Sequence, residues 1–130
     1  MVKRIIFFSL LVVTISCSCN KDLTSSNKTL KTILKQYPEL PKTVQERIIQ
    51  FQKDAKTNPP RAIYSYQYHN NTVYYITAPC CDFYSELLDE NGALICRPDG
   101  GFTGKGDGKC VDFNKTKSNE KLIWKDNRKQ

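Results

Sequence analysis

Four cysteines, Cys80, Cys81, Cys96 and Cys110, fall within about 30 residues of one another, and thiols at this density admit three chemistries. A zinc site has the right ligand count, but paired zinc ligands usually stand two to four residues apart, and Cys80 and Cys81 are adjacent. Redox catalysis expects Cys-x-x-Cys beside a βαβ pattern, and neither is present. Two structural disulfides fit best, because a domain this small has a thin core that gains from cross-links. Adjacent residues of a strand face opposite ways, so Cys80 and Cys81 are expected to take different partners. Two connectivities remain: Cys80–Cys96 with Cys81–Cys110, or Cys80–Cys110 with Cys81–Cys96. A Cys81–Cys96 bridge closes a loop worth about 3 kcal/mol in the chain-entropy picture.

The segment Pro98–Gly108 holds five of the six glycines, which marks it as a loop. Asp99, Asp107 and Asp112 with the surrounding carbonyls make a weak calcium set, since Ca²⁺ accepts oxygen ligands in flexible geometry. The spacing is not that of an EF-hand, and the competing role for these aspartates is capping turns. The loop's resemblance to a phosphate loop fails, because Asp107 follows Gly106 where a Lys is required. His69 is the sole histidine and falls at an expected turn. Ser85, His69 and Asp82 spell a triad on paper, but no nucleophile-elbow sequence accompanies them. No catalytic residue, resident metal or cofactor is therefore expected.

The N-terminus carries its own chemistry. Lys3-Arg4 precedes an apolar run, Ile5–Ile15, that is short for a membrane span and suits a signal peptide. Ser16-Cys17-Ser18-Cys19 follows and resembles the acylation site of bacterial lipoproteins. Cys19 is the expected lipid-bearing residue, with Cys17 the alternative, because acylation at Cys19 leaves an even number of thiols. A signal over residues 1–18 and a tether over 19–39 then precede the domain.

The elements that must position these groups follow from periodicity. Leu40, Val44, Ile48, Phe51 and Ala55 form one helical stripe between Pro41 and Asn58-Pro59-Pro60. Ala62–Thr77 reads as a hairpin about His69-Asn70-Asn71, with Tyr64, Tyr66 and Tyr68 on one face and Ile63 on the other. Tyr84–Leu88 and Ala93–Arg97 flank Asn91-Gly92, a strong hairpin signal. The fold class is α+β: one amphipathic helix on a small antiparallel sheet of about four strands, disulfide-stapled, over residues 40–113. A basic C-terminal tail, 114–130, is expected to be a solvated extension.

The net charge of +7 includes Lys3 and Arg4 of the leader and six basic residues against two acids in the tail. In an exported chain this does not point to nucleic acid. The mean hydropathy of −0.53 excludes a polytopic membrane protein.

The order Asn58-Pro59-Pro60, Ile63-Tyr64, Val73-Tyr74-Tyr75, Pro79-Cys80-Cys81-Asp82, Ser85-Glu86-Leu87, Asn91-Gly92, Ile95–Gly101, Thr103–Cys110 and Asp112-Phe113 resembles an uncharacterised domain-of-unknown-function family of small bacterial lipoproteins. The likeness covers roughly Leu40–Phe113. Its most specific part is a C-P-D-G-G-x-T-G-x-G-D-G-x-C type of stretch, here with Arg97 between Cys96 and Pro98, and with Val111 where the family pattern has Pro. The resemblance implies architecture and location and no activity.

The expected function is an exported, lipid-anchored, non-enzymatic binding or envelope-associated module of the bacterial cell envelope. It is held to the membrane by its N-terminal lipid and meets a protein or glycan partner. The candidate surface is the loop Asp99, Gly100, Gly101, Phe102, Thr103, Gly104, Lys105, Gly106, Asp107, Gly108 and Lys109, since ordered exposed loops carry function. One alternative is a protease-inhibitor-like module anchored by Lys105 or Lys109. Another is an extracytoplasmic enzyme using Asp99 or Asp107.

Overall fold

The computed structural model describes residue 28 and residues 31–129; the expected signal segment and the acylation candidates Cys17 and Cys19 lie outside the described residues. The helical stripe becomes α1, Lys42–Lys53, with Pro41 as its N-cap residue. Val44, Ile48 and Phe51 are buried as the periodicity requires, while Ala55 lies past the helix end and is exposed. Gln45 is buried among them, and its amide donates to the carbonyls of Tyr37 and Leu40, both at 2.9 Å. Those bonds fasten the segment before the helix. Residues 31–36 are helical and Ile33 is buried in the core, so the distal part of the expected tether belongs to the fold.

The strands are β1, Ala62–Tyr68, β2, Asn71–Ile76, β3, Glu86–Leu88, and β4, Leu94–Cys96. Both expected hairpins form. β1 and β2 are joined by His69-Asn70, and both residues have positive φ, as tight hairpin turns require. In the second hairpin, Asp89 Oδ1 accepts from the amides of Asn91 and Ala93.

The sheet has five strands rather than about four, in the antiparallel order β4-β3-β2-β1-β5. The fifth, β5, is Ser118–Lys125 and pairs with β1. The basic tail is therefore not a solvated extension through most of its length. It follows a single helical turn, α2, Phe113–Thr116, and it continues the sheet. Beyond β5, the Arg128 guanidinium donates to the carbonyls of Phe51 (2.9 Å), Gln52 (3.0 Å) and Asp54 at the end of α1. It also holds the buried Asp126 carboxylate at 2.6 Å. A cation there satisfies carbonyls that the helix leaves unpaired and opposes the helix dipole.

Side-chain alternation divides the core into two layers. On the helix face, α1 packs on Ile63, Tyr74, Ile76 and Leu88, and Trp124 of β5 meets Phe51 with ring centroids 5.8 Å apart. On the opposite face, Tyr66, Tyr68, Val73, Leu87 and Cys96 pack around Phe113 and Cys110. Each fully buried aliphatic or aromatic side chain contributes roughly 1.5–3 kcal/mol relative to exposure. The opposite face is covered by the glycine-rich loop and α2 in place of a long helix.

Candidate functional site

A loop can cover a sheet only if its polar groups are satisfied and its shape is held, and several anchors serve residues 97–110. The first is a disulfide between Cys96 and Cys110, with Cα atoms 6.1 Å apart. This corrects both expected connectivities. Cys80 and Cys81 bond neither Cys96 nor Cys110. They are free thiols, and they occupy a turn in which the Phe83 amide donates to the Cys80 carbonyl at 3.1 Å. The argument from strand alternation fails because the pair is not in a strand.

Asp99 is the second anchor. Its carboxylate accepts from Ser85 Oγ at 2.5 Å and from Tyr75 Oη at 2.7 Å, and its carbonyl accepts from the Ser85 amide at 3.3 Å. Ser85 is fully buried. Burial, opposed by the Ser85 hydroxyl and reinforced by the bond to Asp99, pushes the Tyr75 phenol above its ordinary range.

Asp107 is the third. It accepts from the amides of Arg97 (3.0 Å) and Lys109 (3.1 Å), while its own amide donates to the Arg97 carbonyl at 2.8 Å. Desolvation raises its carboxyl, but the amides of Lys109 and Arg97 outweigh it and the net shift is downward. Gly106 sits against that same Arg97 carbonyl with φ +68°, leaving no room for a Cβ.

Asp112 closes the far end. Tyr68 Oη donates to its Oδ1 at 2.7 Å, and His69 Nε2 lies 2.8 Å from its Oδ2. The bonds from Tyr68 and then His69 lower the Asp112 carboxyl. Burial and the Asp112 bond push the Tyr68 phenol up to about 12.

The three aspartates of the weak calcium set do not come together. Asp99, Asp107 and Asp112 each bind a different part of the scaffold, and among the described residues no three His, Cys, Asp or Glu side chains gather as a metal set. The paper triad is not assembled either, because Ser85 Oγ is committed to Asp99 and the His69 imidazole to Asp112.

The tyrosine row faces one side, as the alternation requires. Tyr66 and Tyr68 are buried under Phe113, and Tyr64 is half-buried. The Lys117 ammonium lies over Tyr66 (4.6 Å), Phe113 (4.9 Å) and Tyr75 (5.7 Å), and Tyr66 Oη donates to Glu120 at 2.7 Å. Lys117 and Glu120 were hidden from sequence reasoning by their place in the apparent tail.

With its backbone held, the loop presents side chains outward. Phe102 is 95% exposed. Gly101, the residue before it, lies under the ring of Tyr84, and Gly100 packs against the Phe83 carbonyl. Phe83 is 62% exposed and Tyr84 45%, and the Arg97 guanidinium stands 6.0 Å from the Tyr84 ring centroid. The Phe83-Tyr84 pair thus extends the expected surface. Its only sequence signal was an aromatic doublet between the vicinal cysteines and Ser85. The backbone is left-handed at Gly104 and Gly106 on both sides of Lys105.

A family model described as a domain of unknown function (DUF6970) matches residues 49–126, more than half of the chain. It extends past Phe113 to include β5. No curated protein and no solved structure matches the chain.

Proposed function

The chain belongs to the DUF6970 family of domains of unknown function, and on that premise we propose that it is an exported, lipid-anchored, non-enzymatic binding module whose glycine-rich loop docks a protein partner. The carrying observation is Phe102, 95% exposed on a loop closed by a disulfide and three carboxylate anchors. An exposed aromatic on a pre-ordered backbone loses little entropy on binding, and aromatic residues dominate interface energetics. Phe83 and Tyr84 enlarge the apolar centre, while Arg97, Lys105 and Lys109 supply a basic rim that suits an acidic one. Left-handed Gly104 and Gly106 argue against the inhibitor-like alternative, since a protease cleft takes an extended segment. Asp99 and Asp107 are occupied by scaffold bonds, which argues against their use as catalytic acids.

Export is supported by Lys3-Arg4, the apolar run Ile5–Ile15 and Ser16-Cys17-Ser18-Cys19, together with a disulfide of the kind that persists in oxidising compartments. In this reading the lipid on Cys19, or on Cys17, supplies the attachment. Two or more acyl chains anchor stably, at about 0.8 kcal/mol per buried methylene.

Intact mass of the mature protein tests the location. Diacylated Cys19 at the new N-terminus is expected, with Cys17 the alternative, and a chain retaining Met1 overturns export. A photo-crosslinking residue at position 102, compared with one at the exposed Glu46 on α1, tests docking in intact cells. A discrete protein adduct at 102 that is absent at 46 and lost in Phe83→Ala is expected. Equal labelling at both positions, or none at 102, overturns it. Phe102→Ala itself should leave stability within about 0.5 kcal/mol, as surface changes do.

A further inference from the structure

Cys80 and Cys81 contribute to neither core layer, and Cys96 and Cys110 are already bonded to each other. Their two sulfurs lie 2.6 Å apart. That is inside the roughly 3.5 Å at which nonbonded heavy atoms rest, though still longer than the about 2.0 Å of an S–S bond. Cys81 is exposed and Cys80 is half-buried. The backbone is committed to this approach. Cys81 has φ +50°, an uncommon conformation for a residue with a side chain, and the Phe83–Cys80 hydrogen bond closes the turn that imposes it.

We propose that Cys80 and Cys81 form a thiol–disulfide exchange site that closes to a vicinal disulfide at the expense of a small external disulfide. One cysteine thiolate attacks the external S–S bond, forming a mixed disulfide and expelling the first external thiol. The second cysteine thiolate then attacks the protein sulfur of that mixed disulfide, expelling the second external thiol. The two cysteine protons end on the two released thiols. The cysteines are oxidised by two electrons, and the external disulfide is reduced by the same two.

The bond is reversible for a geometric reason. Adjacent Cα atoms are about 3.8 Å apart across a trans peptide, below the range of at least about 4.4 Å that ordinary disulfides span. Constrained and exposed disulfides are the readily reduced ones. Cys96–Cys110, at 6.1 Å, has no such constraint, so the two sulfur pairs divide into a labile one and a structural one. Ring closure also locks the turn that leads directly into Phe83 and Tyr84, whose contacts with Gly100 and Gly101 shape the loop surface. That regulatory consequence rests on the docking reading; the exchange chemistry does not.

The test equilibrates the mature protein in glutathione buffers of graded reduced-to-oxidised ratio, alkylates free thiols and digests with chymotrypsin. Cleavage after Tyr75 and Phe83 isolates Cys80 and Cys81 from the other cysteines. In oxidising buffer this peptide should be unalkylated and lighter by two hydrogens, and in reducing buffer doubly alkylated. Its midpoint should lie at a ratio roughly tenfold or more oxidising than that of Cys96–Cys110. Cys81→Ser, which lacks the resolving thiol, should accumulate the glutathione adduct at Cys80. Double alkylation at every ratio, two stable glutathione adducts on the native peptide, or bonding of either cysteine to Cys96 or Cys110 overturns the proposal. Crosslinking from position 102 in the two redox states is read separately. Ring closure with no adduct in either state removes the docking reading and leaves the exchange site standing.

Discussion

On the helix side of the sheet, Val44, Ile48, Ile49 and Phe51 meet Ile63, Tyr74, Ile76 and Leu88 through apolar contact, with polar ties only at the margins, where Arg47 pairs with Glu86 at 2.7 Å and Arg128 holds the last carbonyls of α1. On the loop side, Phe113 packs among Tyr66, Tyr68 and Tyr75, whose hydroxyls donate to Glu120, Asp112 and Asp99 in turn. The difference follows from what covers each face. A helix satisfies its own backbone except at its ends and offers an apolar stripe, so burial does most of the holding. A glycine-rich loop closes some backbone bonds of its own, from Gly104 to Gly101, Gly106 to Gly100 and Asp107 to Arg97, but offers no apolar stripe, so carboxylates and hydroxyls hold the rest and a disulfide ties its ends. Directional bonds fix the loop's shape, and that precision is what the proposed docking surface needs.

The largest expected effect tests whether two differently held faces still make one cooperative unit. β1 and β2 serve both layers, so Phe113→Ala and Ile48→Ala should each lower stability, by about 3–5 and about 2–5 kcal/mol respectively. Helix ellipticity and aromatic near-ultraviolet signals should be lost in a single coincident transition in both variants. An aromatic signal lost at lower denaturant than the helix signal would show that the loop face unfolds alone.

Next in size is the disulfide. Replacing Cys96 and Cys110 together by Ser should cost roughly 3 kcal/mol, the value for a loop of this length, measured by urea denaturation. Amide exchange should quicken most in residues 97–109, with α1 less affected. Uniform loss of protection across both faces would mean that the bridge stabilises the whole sheet and not its loop cover.

The smallest effect is acid dependence. Asp107 and Asp112 have lowered carboxyls in the folded chain. The stability they confer is present above the unfolded carboxyl value of about 3.9 and is lost as pH falls through the lowered folded values. Melting temperature should therefore drop below about pH 4, and Asp112→Asn should flatten that slope. An unchanged slope in Asp112→Asn would assign the acid sensitivity elsewhere, first to Asp126, whose carboxyl is lowered by Arg128 on the helix side.

The helix face was readable because its cause is local. A stripe repeating every three or four residues and a proline at each end specify α1, and alternation about His69-Asn70 and Asn91-Gly92 specifies the hairpins. β5 was missed for the opposite reason. Most of Ser118–Lys125 is exposed, so an edge strand rich in charge shows little apolar alternation, and its partner β1 lies far earlier in the chain, with Ala62 opposite Lys125 and Gln67 opposite Ser118. Ile33 falls in the expected tether because its burial depends on α1 and Gln45 holding that segment in place.

Read alone, the residues determined the α+β class, the turn positions, the sidedness of the tyrosines and the loop character of Pro98–Gly108. Each is written in short-range periodicity or in the backbone demands of glycine and proline. Sulfur pairing, the commitment of Asp99, Asp107 and Asp112 to the scaffold, and the meeting of Phe83-Tyr84 with the loop were decided only in three dimensions. They join segments far apart in the chain, and which groups meet is set by how the sheet brings them together.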